Sequence, residues 1–570
     1  MSMAKQGTAA SEKLWMVLDP AEGDPPEIPG IHPLVARILH QRGYSTAEAQ
    51  LAFLDPKLNA LSDPFLLPEM DAAVDRVLAA IDSGERVALY GDYDVDGVTS
   101  LTLFKTVLGA FGLEVSTFLP HRMAEGYGLS IEGLGRCIEE HAPSLIIAVD
   151  CGTSSIEEVA WLKGEKGIDT IICDHHEASP AGRPDCVALV NPKLGENFHY
   201  LCSAGVVFKV AHALLKRRPL DGFDLRKHLD IVAVGTVADI VPLVGENRAL
   251  VRRGLHELAR TENLGLAALA EAAGASAPFD SADIGFKIGP RLNASGRLAS
   301  AQASLDLMLC ENPGEAQALA TGLDTRNRER QQIEAKIREQ ALAMVEESFD
   351  PERDVAIVLG SPEWHAGVVG IVASRVSKKF HRPTFIIGFD EDGAGKGSGR
   401  SVEGISLVDA INECRDCLIK GGGHAMAAGI SIELDRLEEF RSAFSEAIRK
   451  QVKGDELTPR LHIDIEATLG EIDDYLLPSY LRMEPLGQHN PRPIFMVRGV
   501  HPAAEPRVLK EKHLRLSIRQ GGVVREAMFF SGNESPLPRA PWDIAFTINR
   551  NEWRGKVSLQ MIVEDIRTTV

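Results

Sequence analysis

From about residue 70 to 250, short apolar runs alternate with longer stretches whose apolar positions recur at helical spacing. The runs are RVALYG (86–91), EVSTFLP (114–120), SLIIAVD (144–150), TIICD (170–174) and VALVNP (187–192). They are almost continuously hydrophobic, as strands buried on both faces are. Between the first two lies VTSLTLFKTVLGAF (98–111), which predicts a helix. Strand, crossover helix, strand is the pattern of a parallel sheet covered on both sides. Three polar clusters, GDYDVDG, DCGTS and DHHE, each follow the carboxyl end of an apolar run. Open α/β sheets place their ligands at that edge.

The pattern changes several times along the chain. Residues 1–45 are rich in Pro, Glu and Ala and predict an extended lead-in. A region from about 255 to 310 contains GFKIGPRLNASGRL. From about 313 to 348 the chain is charged, Ala-rich and free of Pro and Gly after Gly322, which predicts one long connecting helix. DVAIVLG, VVGIVASRVSKKF and PTFIIGF begin a second α/β pattern that continues to about 450. Short alternating runs then follow, among them LHIDIEATL, IFMVRGV, LRLSIRQ and VSLQMIVEDI, and predict a small barrel. The expected architecture is α/β and multidomain. It comprises an N-terminal extension (1–45), a parallel-sheet domain (46–310), a connector helix (311–350), a second, smaller α/β domain (351–452) and a C-terminal OB-like β-barrel (453–570).

Composition narrows the classes. At 570 residues the chain is too long for one core, and about three to five domains are expected. No run approaches the roughly 18–20 apolar residues that span a bilayer, and MSMAKQGTAASEKLW has no apolar core of a secretion signal. A cytoplasmic location is the expectation. Eight scattered cysteines predict free thiols, Cys414 and Cys417 being two incidental ones. The absence of a heptad seam predicts a monomer. The formal charge of -20 opposes non-specific binding to a polyanion, so any nucleic-acid site must be a local basic groove.

The chemistry lies in the polar clusters. Asp92, Asp94 and Asp96 alternate in GDYDVDGVTS, and in an extended segment they share one face. Carboxylates so placed repel one another unless a cation neutralises them. A turn loop explains the same residues, since Asp and Gly favour turns. Asp150 at the end of LIIAVD and Asp174-His175-His176 after TIIC bring further ligands to the same edge, and Asp239 in GTVADIVPL adds a carboxylate. Oxygen-rich ligation with imidazole suits manganese or magnesium better than zinc. A site able to hold two such ions suits phosphoryl chemistry.

GDYDVDG, VDCGTS, DHH and VGTVADIVPL, in this order and spacing, resemble the DHH phosphoesterase superfamily. Within it the chain is similar to the bacterial RecJ single-strand-specific exonucleases over nearly its whole length. RLNASGR, GSGRS and GGGHAMAAG, the long helix and the terminal barrel fit that family too. The resemblance implies two divalent ions, manganese or magnesium, held by Asp94, Asp96, Asp150, His175 and Asp239, with Asp150 bridging. Asp174 and His176 would support them from behind or face the phosphate, and Asp92 would orient its neighbours. Tyr90 stands four residues before the first ligand, where DHH-type pyrophosphatases carry histidine; this favours the nuclease branch. The implied activity is degradation of single-stranded DNA from the 5′ end to 5′ mononucleotides, in repair and recombination. A channel between the two α/β domains, too narrow for duplex, would select the strand. A single-strand-binding protein and a repair helicase are the implied partners.

The remaining candidates are phosphate and strand contacts. Arg122 offers a guanidinium fork, and Tyr127 either stacks on a base or caps a core edge. RLNASGR supplies Arg291, Asn293, Ser295 and Arg297, as a phosphate loop or as a helix-start turn with surface arginines. GKGSGRS and GGGHAMAAG supply Ser398, Arg400, Ser401, Gly422, Gly423 and His424, with glycines that let backbone approach phosphate. His365 is a further candidate, and Trp364 beside it reads as packing. On the barrel, Lys510, Lys512, His513, Arg515 and Phe529 are candidate strand contacts, Phe529 being equally a core residue. Two rival readings stand: a phosphodiesterase of short oligonucleotides or cyclic dinucleotides, which needs no barrel, and a non-catalytic strand-binding scaffold, which needs no complete ligand set.

Overall fold

A computed structural model describes residues 13–120, 128–298 and 300–569, leaving aside the side chains of Arg297 and Leu298. It divides into two compact units. Thr325–Leu461, with the N-terminal residues to Met16, form one; Val17–Asp324 and His462–Val570 form the other.

The larger unit is built on a five-stranded parallel sheet. Its strands are β1 (Val87–Gly91), β2 (Val115–Phe118), β3 (Leu145–Val149), β4 (Asp169–Cys173) and β5 (Ala188–Val190), in the order β2-β1-β3-β4-β5. The register aligns four strand ends: Gly91 pairs with Val149, Val149 with Cys173, and Cys173 with Val190. The residues that follow, Asp92, Asp150, Asp174 and Asn191, therefore leave the sheet side by side. Helices Val95–Ala110, Ser203–Arg217 and Leu229–Ala238 contribute to the main core on one face. Tyr90, Phe118 and Ile172 belong to a second core, with Leu134 and Val159.

The terminal barrel is a seven-stranded sheet between Ile465 and Thr568. An extra pairing of Phe495–Pro502 with His513–Gln520 folds it back on itself. The N-terminal region is not the extended lead-in expected. Pro33–Gln41 is a helix, and Leu34, Ile38 and Leu39 are buried in one core with barrel residues Phe495, Ile544 and Phe546. Helix Ala47–Leu54 joins that core through Phe53 and Leu54, not the sheet domain. Proline and acidic residues disguise a helix whose apolar face has its partner more than 400 residues away. The barrel is also tied to the sheet domain. The buried Arg248 guanidinium donates to the carbonyls of Phe53, Arg482, Glu484 and Pro485 and stacks on the Phe53 ring.

Pro313–Ser348 is one unbroken helix of 36 residues, about 54 Å long, and the division between the units falls inside it. In the smaller unit, strands Ile357–Ser361, Thr384–Phe389, Ala394–Arg400, Lys420–Gly423 and Ala427–Glu433 form one mixed sheet. Its glycines serve packing. A Cβ on Gly399 would lie 2.5 Å from the Phe385 ring, and one on Gly397 2.8 Å from Ile387 and Ile430.

Candidate metal centre

The three alternating aspartates do not share one strand face. β1 ends at Gly91, and a helix starts at Val95. Asp94 is its N-cap: Oδ1 accepts from the Asp96 and Gly97 amides at 2.9 and 3.1 Å. Asp96 lies in the first helical turn, and Asp92 is buried just after the strand. Gly97 permits this turn, since a Cβ there would meet the Asp92 carbonyl oxygen at 2.3 Å. The helix N-terminus favours carboxylates, so strand, turn and helix start together converge the groups that simple alternation was expected to align.

Each remaining group is held by a different element. Asp96 accepts from the amides of Ser203 and Ala204 at 2.6 and 2.9 Å, at the start of the next helix. Ser203 Oγ donates to Asp150 Oδ1 at 3.0 Å. Asp239 caps the carboxyl end of helix Leu229–Ala238. That helix can come close because residue 235 is glycine: a Cβ would sit 2.4 Å from Thr99 Oγ1 and 3.0 Å from Asp96 Oδ1. Asp174 faces inward and organises its neighbours. Its carboxylate accepts from the His175 and His176 amides, from His176 Nδ1 at 2.8 Å and from the Thr153 amide. Asn191 ties the same corner by donating to Thr153 Oγ1 and the His176 carbonyl.

The result is one cluster. His175 Nε2 lies 3.4 Å from Asp150 Oδ1, 3.5 Å from Asp239 Oδ2 and 3.8 Å from Asp96 Oδ2. Ligand-competent atoms come within 4.8 Å of one another in three sets: Asp150 with His175 and His176, Asp96 with His175 and Asp239, and Asp92 with Asp94 and Asp150. Burial and the neighbouring Asp94 push Asp96 up to about 6. Burial, then Asp96 and Asp94, push Asp239 up to about 9. Asp150 is driven well up by burial and by the four surrounding aspartates. Burial, reinforced by His176, lowers His175 to about 3, leaving a neutral imidazole able to donate a lone pair. Asp174 is the exception: burial opposes its charge, but the bonds from His176 and Thr153 hold it well below the usual carboxylate range. His175 Nε2 and Asp239 Oδ2 are buried and have no hydrogen-bond partner among the described residues. Orphaned acceptors facing mutually repelling carboxylates fit divalent cations bound by oxygen and imidazole.

Other expected contacts are placed differently. RLNASGR is not a loop but part of helix Gly289–Leu298. Ser295 is fully buried, its hydroxyl engaged with Leu292 O and Ser304 Oγ. Arg291 is tied to Asp324 and the Lys287 carbonyl. The segment packs against the Asp-rich turn through Gly296, where a Cβ would lie 2.8 Å from the Tyr93 carbonyl oxygen. Asn293 is half-buried on the same helix. Arg122, Tyr127 and the Arg297 side chain lie outside the described residues.

In the smaller unit, the register sets Ser398 beside Gly429 and Gly429 beside Gly422, with Gly423 opposite Ala428. Arg400 donates to Ser398 Oγ at 3.0 Å, and both lie near Gly370 in the first turn of helix Val369–Phe380. Ser401 Oγ is taken by the Ile405 carbonyl, and His424 is exposed. Trp364 is buried, donating to Gln340; His365 Nδ1 accepts from the Gly367 amide. On the barrel Phe529 packs partly into the core, His513 stacks edge-on against exposed Phe530, and Arg515 pairs with Glu526.

The pattern reading did not single out Ser203, Gly235, Thr153, Asn191 or Gly370. Asn191 carried a signal, since VALVNP ends at the same sheet edge as the other clusters. The others are ordinary small residues until the helices meet.

Known proteins share this order of domains. Family models match the N-terminal domain of the DHH family at residues 86–236, the DHHA1 domain at 354–450 and the RecJ OB domain at 463–565. The single-stranded-DNA-specific exonuclease RecJ of Bacillus subtilis is 36% identical over 94% of this chain and 68% of its own length. That of Haemophilus influenzae is 34% identical over 94% and 96%. Among solved structures, RecJ from Thermus thermophilus in complex with Mn2+ superposes with a TM-score of 0.84 at 29% identity, covering 98% of this chain and 80% of that one. The Mg2+ complex from the same organism gives 0.77 at 28% identity, over 98% and 79%. With three domain models in order and relatives matched along nearly the whole sequence, the chain belongs to the RecJ family of single-stranded-DNA-specific exonucleases.

Proposed function

We propose that this protein degrades single-stranded DNA from the 5′ end, hydrolysing one phosphodiester at a time and releasing 5′ mononucleotides. Two divalent ions, manganese or magnesium, would be held by Asp94, Asp96, Asp150, His175 and Asp239, with Asp150 shared. The observation that carries this reading is the pair of orphaned acceptors, His175 Nε2 and Asp239 Oδ2, among carboxylates that burial has driven upward. When bound, such ions supply Lewis acidity at phosphorus and lower the pKa of water.

The chain's own residues do the rest. Asp174 locks the DHH turn so that His175 presents Nε2 inward. Ser203 and Ala204 fix the rotation of the Asp96 carboxylate, and the Ser203 hydroxyl that of Asp150. Asp94 is held by two backbone amides. In the smaller unit, Ser398, Arg400, Gly422, Gly423 and His424 form a candidate surface for the phosphate of the departing nucleotide. Among the described residues Arg400 has no carboxylate hydrogen-bond partner, which suits an anion. Family membership supports a role in repair and recombination beside a single-strand-binding protein and a helicase. Eight free cysteines support a reducing, cytoplasmic setting.

The test is nucleotide release, with Mn2+ or Mg2+, from single strands labelled at either end. The 5′ label should leave first, as a mononucleotide; first release from the 3′ end would overturn the polarity. Asp150→Asn should lower turnover at least about 10³-fold while strand binding persists. Wild-type turnover by that variant would refute the ligand assignment.

A further inference from the structure

Helix Leu229–Ala238 is capped by Asp239, and the residue after it is doubly unusual. Ile240 adopts φ +60°, the left-handed conformation. Helices commonly close with one residue in that conformation, and it is usually glycine or asparagine, because a Cβ crowds the neighbouring carbonyl there. Branching at Cβ makes the position worse, so an isoleucine with positive φ calls for a cause. The hydrogen bonds of the turn need no side chain. The Asp239 amide donates to the Gly235 carbonyl at 3.0 Å, and the Ile240 amide to the Val237 carbonyl at 3.3 Å.

Packing does not supply the cause. Ile240 is 71% exposed, whereas Ile231, Val232 and Val234 of the preceding helix are buried. A single apolar residue at a surface needs no explanation by itself. This one is exposed, strained and bonded directly to Asp239, whose carboxylate lies 3.5 Å from His175 Nε2. Glycine would end the helix at lower cost, and a polar residue would meet water at lower cost. What isoleucine offers here is a fixed apolar branch beside the cluster of Asp96, His175 and Asp239.

We propose that Ile240 is a specificity residue: its branched side chain lies against the sugar of the nucleotide being released and favours deoxyribose over ribose. The inference rests on the exonuclease reading above and deepens it. In that reaction the phosphate sits at the cluster, and the atoms joined to it through oxygen are sugar carbons. On the released nucleotide C3′ carries the scissile phosphate and C2′ is the next carbon, whereas the base stands farther off, on C1′. An apolar group one residue from a ligand therefore meets the sugar before the base. Against a C2′ methylene the contact removes apolar surface from water on both sides. Against ribose it takes the 2′-hydroxyl out of water and offers no hydrogen-bond partner in return. An apolar site rejects an added hydroxyl by about 10- to 100-fold. The strained backbone then has a purpose. It fixes where the branch stands, and branching at Cβ restricts χ1, so little freedom is lost when a strand arrives.

The experiment measures kcat/KM for release of the first nucleotide, with Mn2+, from two single strands of one sequence. One strand is all-deoxy, and the other carries a single ribonucleotide at its 5′ end. Wild type should favour the all-deoxy strand, and Ile240→Asn should reduce that preference about 10- to 100-fold. Ile240→Val keeps the branched apolar surface and should keep the preference. Asparagine tolerates positive φ, so the melting temperature of Ile240→Asn should be no lower than that of wild type, which separates lost selectivity from unfolding. An unchanged preference in Ile240→Asn would overturn the proposal. So would an equal loss of efficiency on both strands, which would place Ile240 in support of Asp239 rather than at the sugar. Failure of the exonuclease reading is distinct: wild type itself would then release no nucleotide from either strand.

Discussion

Asp150 adopts φ +63°, a left-handed conformation that a residue with a Cβ rarely takes. Such backbone costs about 1–3 kcal/mol and persists where surroundings over-determine it. Here the Asp150 amide still donates to Cys173 O, while Ser203 Oγ holds the carboxylate. The strain sits on the carboxylate common to two of the three ligand clusters. Gly235 is the complementary case, a residue with no chemistry whose missing Cβ lets three helices meet. Gly235→Ala should destabilise the fold by about 1–3 kcal/mol through overpacking. It should also weaken Mn2+ binding, because Asp96 Oδ1 lies 3.0 Å from the added methyl. Calorimetric titration with Mn2+ beside a melting curve checks both; unchanged affinity with lowered stability would separate packing from ligation. Asp92, Asp150 and Asp174 were legible because each follows an apolar run. Gly235 and Ser203 were not, because their importance exists only where helices cross.

Helix Leu229–Ala238 carries two aspartates with different roles. Asp239 belongs to the cluster with Asp96 and His175, whereas Asp230 is buried at the opposite end, accepting from Ile231 N and Thr261 Oγ1. Burial outweighs those bonds and raises Asp230 to about 6. A carboxyl with a raised folded pKa binds its proton more tightly in the native state, so its contribution to stability falls as pH rises. The loss should run from about pH 4 to about pH 6 and amount to roughly 3 kcal/mol. Chemical unfolding across that range should show the decline, and Asp230→Asn should flatten it. A slope unchanged in the variant would assign the effect to other groups. Element by element, the parallel sheet and the long helix were readable from period and composition. RLNASGR was legible only as two alternatives, a phosphate loop or a helix start, and it lies in a helix. A π turn directly before Gly289 and Pro290 lets the helix begin where proline is tolerated.

At the scale of the molecule, the barrel is bound to the sheet domain by buried polar contacts as well as by apolar area. Arg248 donates to four carbonyls from two separate segments, and the Leu243 amide donates to Gln488 O at 2.8 Å. A Cβ on Gly487 would meet Leu243 at 2.8 Å, so the two segments touch directly. Arg248→Ala leaves those buried carbonyls without a donor and should cost roughly 3–5 kcal/mol. Limited proteolysis should then cut between the domains before the barrel core, while wild type resists. Identical digestion patterns would mean that the apolar contacts alone hold the junction. The N-terminal helix shows the same long-range dependence: Leu34, Ile38 and Leu39 complete a core whose other half starts at Ile465.

The sequence by itself determined the parallel sheet, the long helix, the small terminal barrel and the order of polar clusters. Each depends on local periodicity, on breakers, or on residues adjacent to a strand end. It also determined the ligand types, since Asp and His in those clusters favour hard divalent cations. Only the tertiary structure decided how Asp94 and Asp96 reach one point: a strand, a turn and a helix start, not alternation along a strand. It also decided that RLNASGR lies in a helix that packs on the Asp-rich turn through Gly296. The N-terminal helix, packed on the barrel core, belongs to the same category. In each case the partner lies far away in sequence, and contact between distant segments leaves no local period to read.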